Sequence, residues 1–321
     1  MDKLYIIGNG FDLHHGLPTS YKGFCNYLKL HNPTVLDNLN KSFSYPSSDD
    51  DIWCRFEENL SFIDLQFLDD IICEYIPNLS SDDYFRDMAA CHRESEIIIF
   101  SLTEGLRNEF SNYIQLASKY NVDSSRLLDI DRDAFYISFN YTKTLEYYYR
   151  INSDKILYIH GTFDDREDIV LGHAVDPDNF IQEKEHESPP AGLTPEENEQ
   201  WNDYMSDQHI PFLDEAREEL ASYYGRSYKN PEKIIEYNSE FFAGLNVINS
   251  VFVLGHSMSD VDIRYFEAIK EHVQIDCHWT VSFYSEAEKK YLEGVLLGLG
   301  IPATSFNLVK LTKLAHSGIC K

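Results

Sequence analysis

The sequence has no long apolar run, few basic residues and no paired cysteines. No stretch approaches the roughly 20 apolar residues of a transmembrane helix, so we expect no association with a membrane. Lys and Arg number 27 against 54 Asp and Glu, which gives a formal net charge of −27. Such a surface repels nucleic-acid phosphates, and no Lys/Arg run offers a basic patch. Nucleic acid is therefore not expected as a partner.

The cysteines predict a reducing compartment. None of the six lies in a C-x-x-C pair, and the N-terminus shows no signal peptide. We therefore expect a cytoplasmic protein that has neither a disulfide framework nor a zinc knuckle. The 321 residues are 43% hydrophobic and 14% aromatic, which is enough for a large core. The expected organisation is a single α/β domain over residues 1–321.

Short apolar runs alternate with segments of helical periodicity along the chain. The runs at 4–7, 134–139, 155–161, 168–176, 250–255 and 278–285 predict strands. Ser20 or Thr19, Thr194 and Ser285 are predicted to begin helices. The pattern predicts a three-layer, Rossmann-like fold with a mostly parallel sheet. Helical insertions are expected at about 50–125 and 181–248.

Glycine with Asn or His follows several of the predicted strands. In open α/β sheets, ligands bind outside the carboxyl ends of the strands, where the strand order reverses. Taken singly, a histidine there is more often structural, and an Asn can form an Asx turn. Together they predict one nucleotide-binding crevice, formed by Gly8-Asn9-Gly10, Asn140, His160-Gly161, Gly172-His173 and Gly255-His256-Ser257.

The opening Gly8-Asn9-Gly10 stretch departs from the dinucleotide fingerprint. Leu13 stands where the third glycine of G-x-G-x-x-G belongs, so a dehydrogenase loop is not expected. Backbone N–H groups at the start of the next helix could still hold a pyrophosphate. Asp12 is expected to contact a ribose hydroxyl or to orient a histidine. Downstream, Asp260 and Asp262 are predicted to serve as helix-start residues.

Several motifs resemble the AbiH family of bacteriophage abortive infection proteins. The most specific is "IIGNGFDLHHGLPTSY" at residues 6–21. A Trp…Phe-Glu…Leu helix follows at Trp53, Phe56, Glu57 and Leu60. The order continues with "FNYTKTLE" at 139–146, "YIHG" at 158–161, "LGHAVD" at 171–176 and "VLGHSMSDVDIRYF" at 253–266. The resemblance implies a role in defence against phage.

A more distant resemblance is to sirtuin-like domains that consume NAD. In that family an Asn orients the ribose or the attacking water, and a His is the general base; Asn140 and His160 match them. The resemblance implies that NAD is a substrate, cleaved at the N-glycosidic bond. Gly8 and Gly10 match its phosphate loop, and Gly255 and Ser257 match its late Gly-x-Ser loop. Together with the other strand-end residues, the expected binding set is Gly8, Asn9, Gly10, Phe11, Asp12, Gly161, His173, Gly255, His256 and Ser257.

The sequence also departs from the sirtuin pattern. Asn9, Phe11 and Asp12 replace the small residue and serine of the phosphate loop, and Thr142 replaces an Asp. The zinc-binding cysteines of the deacetylases are absent, so peptide deacetylation is not expected. His14 and His15 are assigned to the turn between the loop and the helix rather than to catalysis.

Two other functions stay open at this point. One is a metal-dependent phosphoesterase or nuclease. In proteins of that class the first strand should end in D-x-H, whereas here it ends in Gly8-Asn9-Gly10. We therefore expect no metal. The other is a non-catalytic nucleotide sensor, in which the insert at 181–248 changes shape to signal infection. The expected partners are a nucleotide, a phage-derived trigger and other copies of the chain in a homo-oligomer.

Overall fold

A computed structural model describes residues 2–43, 49–74, 82, 84–164, 169–180, 189–190, 192–208 and 211–314. Its sheet has six parallel strands in the order β3-β2-β1-β4-β5-β6. The strands are β1 (Lys3–Ile7), β2 (Phe135–Ser138), β3 (Ile156–Tyr158), β4 (Ser250–Leu254), β5 (His278–Phe283) and β6 (Phe306–Lys310). This is the order of a doubly wound sheet, and it reverses between β1 and β4.

Helices make up most of the remaining described residues. They are α1 (Asn9–His14), α2 (Tyr21–His31), α3 (Pro33–Lys41), α4 (Asp49–Cys54), α5 (Phe56–Asn59), α6 (Leu65–Cys73), α7 (Tyr84–Leu102), α8 (Glu104–Ala117), α9 (Thr144–Tyr149), α10 (Pro195–Gln208), α11 (Pro211–Arg226), α12 (Pro231–Tyr237), α13 (Ser239–Ala243), α14 (Ile263–His272) and α15 (Glu286–Gly298). Short 3-10 helices lie at Leu60–Phe62, Ser124–Arg126, Ser153–Lys155, Pro177–Phe180, Gly244–Val247, Ala303–Ser305 and Leu311–Leu314.

The sheet is covered on both faces, as the alternation of side chains along β1 shows. Leu4 and Ile6 point to one face, where they join a core with residues of α13, α14 and α15. Tyr5 and Ile7 point to the opposite face, toward α1 and α9. Strands buried on both faces read as continuous apolar runs, which is why the sequence predicts them. The predicted three-layer, Rossmann-like α/β fold is confirmed.

A third core lies within the helices that precede β2 and β4. Residues of α2–α8 pack with Leu213, Leu220 and Tyr223 of α11. Tyr141 and Leu171, which follow β2 and β3, join this cluster from the edge of the sheet. The two predicted insertions therefore share one core, to which α2 and α3 also belong. We call this layer the helical cap.

Local signals predict the starts of three helices, α2, α10 and α15. Ser20 accepts a hydrogen bond from the Gly23 N–H at 3.1 Å, and Ser285 accepts one from the Glu288 N–H at 3.1 Å. Thr194 does the same for the Glu197 N–H at 3.3 Å. Each oxygen pairs a backbone donor that has no partner inside the helix.

Two strand predictions differ from the structure. The described part of 168–176 is not a strand of the sheet; His173 instead forms an isolated parallel bridge with Tyr228. A Cβ on Gly172 would clash with the Ser227 carbonyl, so this segment pairs closely with the helical cap. Conversely, β6 was not predicted, because its side chains are only partly buried at the edge of the sheet. The first part of the predicted insertion at about 50–125 is divided into α4, α5 and α6, and its residues 75–81 and 83 lie outside the described residues.

Candidate functional site

Two glycine loops meet at the point where the strand order reverses. The Gly8 N–H donates to the Leu254 carbonyl at 3.0 Å, and the Gly10 N–H donates to the Gly255 carbonyl at 2.7 Å. A Cβ on Gly8 would lie 2.6 Å from the Gly255 oxygen, and Gly255 has a φ of +65°. Glycine is therefore needed here for contact between the loops. The role of these glycines as a phosphate cradle stays a prediction.

Asn9 and Phe11 hold this loop against the rest of the fold. The Asn9 amide donates to the Thr19 carbonyl at 3.1 Å, and the Thr19 hydroxyl donates back to the Asn9 oxygen at 2.6 Å. Phe11 is buried, and its ring packs against His15 and Tyr149. The contacts of both side chains are thus with the protein's own core and with the turn after α1.

His14 and His15 lie at the end of α1, as predicted for the turn between loop and helix. The His15 ring sits between the Phe11 carbonyl and the Tyr149 hydroxyl, both at 2.6 Å. Burial lowers the pKa of His15 to about 4, so its imidazole is neutral near pH 7. His15 therefore has a structural environment.

Asp12 is a buried carboxylate held by two threonines. It accepts hydrogen bonds from Thr142 at 2.5 Å and from Thr144 at 2.7 Å. Burial raises its pKa to about 6, although these two hydroxyls and the nearby Asn140 amide favour the ionised form. Asp12 links α1 to the turn after β2, and that turn carries Asn140.

Asn140 and His160 lie together at the carboxyl ends of the neighbouring strands β2 and β3. The ring of Phe139 is 5.4 Å from that of His160, 4.3 Å from that of His256 and 5.4 Å from that of Tyr265. Residues that follow β3 and β4, and one from the helix after β4, therefore surround a ring that follows β2. The structure brings His160 and His256 together around Phe139, whereas the Asn140 amide lies near Asp12.

Four side chains at this edge of the sheet carry buried polar atoms without a hydrogen-bond partner among the described residues. They are both amide atoms of Asn140, Nε2 of His160, Oδ1 of Asp262 and the hydroxyl of Tyr265. Buried polar groups are usually paired, so each exception calls for a physical explanation. Such atoms clustered at a sheet's switch point indicate a site for a polar ligand or for water.

Asp262 and Lys229 bring opposite charges into this centre. Asp262 Oδ2 lies 3.4 Å from His256 Nε2, and its Oδ1 lies 3.7 Å from His160 Nε2 and 3.8 Å from Lys229 Nζ. Lys229 Nζ donates to Glu57 at 2.8 Å, and Tyr141 donates to the same carboxylate at 3.1 Å. Burying these charges is tolerable because each one faces an opposite charge.

The surroundings of Asp262 and His160 shift their pKa values so that the first is charged and the second is neutral at neutral pH. Burial by itself would raise the pKa of Asp262, but Lys229, the contact with His256 and the charge of His160 lower it overall. Burial and then the positive charge of Lys229 lower the pKa of His160 well below its usual value. At neutral pH the centre therefore holds an ionised carboxylate beside a neutral imidazole.

Asp262 was predicted as a helix-start residue, and this needs correction. It does occupy the N-cap position of α14, but its side chain makes no capping hydrogen bond. Its carboxylate faces the histidines and Lys229 instead. Lys229 was not predicted at all, because it lies between α11 and α12 in the helical cap, without a local motif. Glu57 appeared only as part of the family pattern.

The other predicted ligand residues lie in different surroundings. His173 is fully buried among Phe180, Tyr223, Tyr224 and Tyr228 of the cap. Burial lowers its pKa to about 4. Gly161 has a φ of +75° and turns the chain after His160. Ser257 is exposed beside the site. These placements do not assign a ligand to any of the three.

Two surface clefts border the segment that carries Lys229. One has a volume of about 280 Å³, and Val170 and Lys229 are among its lining residues. The other has about 650 Å³ and is lined in part by Arg264 and by residues 174–179. Tyr228 and Asn230 line both of them. Ligand pockets commonly have volumes of about 300–1,000 Å³.

Two further findings concern metal and membrane. Among the residues that the structure describes, no three His, Cys, Asp or Glu side chains are grouped so that they could hold a metal ion. The positive charge beside the Asp262 carboxylate is the ammonium group of Lys229, 3.8 Å away. Over the described ranges, none of the helices has the length and apolar character needed to cross a membrane.

The strand order and the buried polar centre at its switch point define a Rossmann-like, doubly wound α/β protein. Within this class, the chain belongs to the bacteriophage abortive infection family AbiH, whose family model matches residues 4–283. The match includes every residue of the buried centre. The protein thus has a role in abortive infection, the defence of a bacterial population against phage.

No curated protein and no solved structure matches the chain. The resemblance to sirtuin-like domains therefore rests on sequence motifs alone. Its consequences for chemistry belong to the proposal that follows.

Proposed function

We propose that the protein hydrolyses the N-glycosidic bond of NAD or of a related nucleotide as its defence activity. The observation that carries this proposal is the set of unpaired buried polar atoms on Asn140, His160, Asp262 and Tyr265. They lie at the carboxyl edge of a doubly wound sheet, where nucleotides bind in many proteins of this class. Amide, imidazole and hydroxyl groups suit a ribose and an attacking water.

The reaction needs one proton acceptor and one positioned water. The water oxygen attacks the anomeric carbon as the carbon–nitrogen bond breaks, and the base leaves with the bonding electron pair. The proton lost by the water passes to Nε2 of His160, which is free to accept it when the ring proton is on Nδ1. The Asn140 amide orients the water or the ribose hydroxyl.

The smaller cleft is the route by which we expect a substrate to reach the buried centre. His160 is only 2% exposed, so a substrate must enter through a neighbouring surface. Val170 and Lys229 line the cleft of about 280 Å³. The Val170 N–H donates to the His160 carbonyl at 3.0 Å, and Lys229 reaches Asp262. We place the substrate path on this side, with a phage-derived component as the trigger that opens it.

The test is consumption of NAD by the purified full chain, with and without lysate from phage-infected cells. Asn140→Ala and His160→Ala should each lower kcat by about 100-fold or more, since positioned acid–base groups contribute about that much. His92→Ala is the matched control, because His92 is half-exposed on α7 and pairs only with Glu96. It should retain the wild-type rate.

The pH dependence gives a second readout. Because the pKa of His160 lies well below its usual value, the imidazole stays neutral and able to accept a proton below pH 6.5. We expect kcat/KM to hold constant as the pH falls from 7 to 6.5 and to decline only at lower pH. A triggered wild-type protein that leaves NAD and related dinucleotides intact would overturn the proposal.

A second candidate is a nucleotide sensor without turnover. The enclosed centre favours it, because a ligand that enters must displace part of the helical cap and so changes the protein's shape. Calorimetry with ADP-ribose measures binding, and turnover of NAD by the triggered wild type distinguishes the two functions. In a sensor the wild type and His160→Ala both bind and neither hydrolyses NAD, whereas in an enzyme the wild type hydrolyses NAD and His160→Ala binds without turnover.

A further inference from the structure

Asp262 has one oxygen engaged and the other directed into the centre. Oδ2 contacts His256 Nε2 at 3.4 Å. Oδ1 has no hydrogen-bond partner among the described residues, although His160 and Lys229 lie 3.7 and 3.8 Å away. The hydroxyl of Tyr265, whose ring lies 5.8 Å from that of His160, also has no partner among the described residues. The free oxygen of Asp262 therefore belongs to the surface that would face a ligand.

The geometry of His256 is fixed by the loop that follows it. The Met258 N–H donates to His256 Nδ1 at 2.9 Å, so the ring proton is on Nε2 and points toward Asp262. Met258 is fully buried and has a φ of +52°. That left-handed conformation is unfavourable for a residue other than glycine. The fold thus maintains a strained turn that aims His256 at Asp262.

Lys229 reaches the centre through close pairing of two backbone segments. The His173 N–H donates to the Ser227 carbonyl at 3.0 Å, and the Lys229 N–H donates to the His173 carbonyl at 2.8 Å. Gly172 permits this approach, since a Cβ there would clash with Ser227. Nζ of Lys229 then binds Glu57 and lies beside Asp262. This pairing of the two segments thereby brings a cation to the centre.

We infer that Asp262 is a catalytic carboxylate whose free oxygen faces the ribose, and that Lys229 and His256 are the residues that position it. The inference rests on the proposed function and extends it to residues outside the Asn–His pair. As the carbon–nitrogen bond breaks, positive charge builds on the ribose, and the negative charge of Asp262 stabilises it. Asp262 forms no bond and takes no proton; the proton of the attacking water still goes to His160.

The substitution Asp262→Asn tests the charge while it preserves the size of the side chain. We expect kcat to fall by about 100-fold, with KM for NAD changed by less than about threefold, because the charge acts mainly in the transition state. Asp260→Asn is the matched control, since Asp260 is exposed in the same loop. Asp260→Asn should turn over NAD at the wild-type rate.

Lys229→Met and Lys229→Arg test the positioning role. Loss of the ammonium should raise the pH at which Asp262 ionises, so the acid limb of kcat/KM moves to higher pH in Lys229→Met. Lys229→Arg keeps the charge and should restore most of the wild-type profile. Because the charge of Lys229 also lowers the pKa of His160, the discriminating readout is the carboxyl itself: a lysine that does not act on Asp262 would change stability without moving the titration of that carboxyl. Titration of the Asp262 carboxyl by ¹³C NMR measures the same shift independently of turnover.

The outcomes separate the inference from the proposed function. If the wild type consumes NAD and Asp262→Asn does so equally well, the inference is overturned while the proposed function stands. An unchanged carboxyl titration in a folded Lys229→Met protein removes Lys229 from the positioning role. If the triggered wild type itself consumes no nucleotide, the proposed function fails and the catalytic role of Asp262 fails with it. Near-UV circular dichroism identifies any variant that does not fold.

Discussion

Two buried aspartates behave oppositely because their neighbours differ. Asp12 has only neutral donors around it, so burial raises its pKa to about 6. Asp262 faces Lys229 and two histidines, and these lower its pKa despite burial. Both residues follow glycine loops at the same switch point. The presence or absence of a nearby cation decides whether burial raises the pKa of the carboxylate or is outweighed.

Asp12 makes the stability of the protein depend on pH. Its pKa in the folded state, about 6, exceeds the ordinary value of 3.8. Stability from this group is therefore fully present below pH 3.8 and is lost as the pH rises through about 6. Relative to Asp12→Asn, the wild type should lose about 2 kcal/mol of unfolding free energy between about pH 4 and pH 6.5.

Urea unfolding at a series of pH values measures this difference. Asp276→Asn, at an exposed position, is the control and should show the wild-type pH profile. Parallel profiles for the wild type and Asp12→Asn would contradict a raised pKa at Asp12.

At the scale of elements, strand ends are well predicted and connections are not. The runs that became β1, β2, β3, β4 and β5 are apolar because they are buried, and burial is visible in a sequence. Segment 169–176 has a similar composition but pairs with the helical cap through His173 and Tyr228. Apolar composition reports burial without showing which partner buries the segment, so the sequence could not separate the two cases.

The loops after β1 and β4 give the sharpest element-scale prediction. Gly255→Ala places a Cβ against the backbone of Gly10 and Phe11 at a φ of +65°. We expect it to destabilise the fold by about 3 kcal/mol or more, because the atoms it meets belong to the backbone and cannot move aside. Thermal or urea unfolding measures the loss.

The matched variant is Gly294→Ala in α15. A Cβ there meets nothing within 4 Å, so alanine should stabilise the helix by about 0.5–1 kcal/mol. Equal effects of the two substitutions would show that close packing of the two loops does not control stability.

At the scale of the whole molecule, the net charge of −27 opposes compactness. Ion pairs such as Arg226 with Glu104 and Arg217 with Asp69 compensate only locally. Surface pairs of this kind contribute little to stability, about 0–1 kcal/mol each. Repulsion between like charges should therefore dominate the response of the protein to salt.

We expect the midpoint of thermal unfolding to rise as salt increases from about 0.01 M to about 0.15 M, over which the Debye length falls from roughly 30 to 8 Å. A gain of about 1 kcal/mol corresponds to roughly 2–4 °C for a chain of this size. Sodium and potassium chloride should act alike if screening is the cause. A midpoint that falls with salt would mean that the surface ion pairs outweigh the net charge.

The sequence by itself determined the alternation of strands and helices, the three-layer fold and the family. These follow from local periodicity and from motifs that keep their order along the chain. It also marked Asn140 and His160, because polar residues directly after buried strands reach the same edge of a parallel sheet. The tertiary structure decided that Glu57, Lys229 and Asp262 join them. Their charges lie 172 and 33 residues apart along the chain, and only packing of the cap against the sheet brings them within a few ångströms.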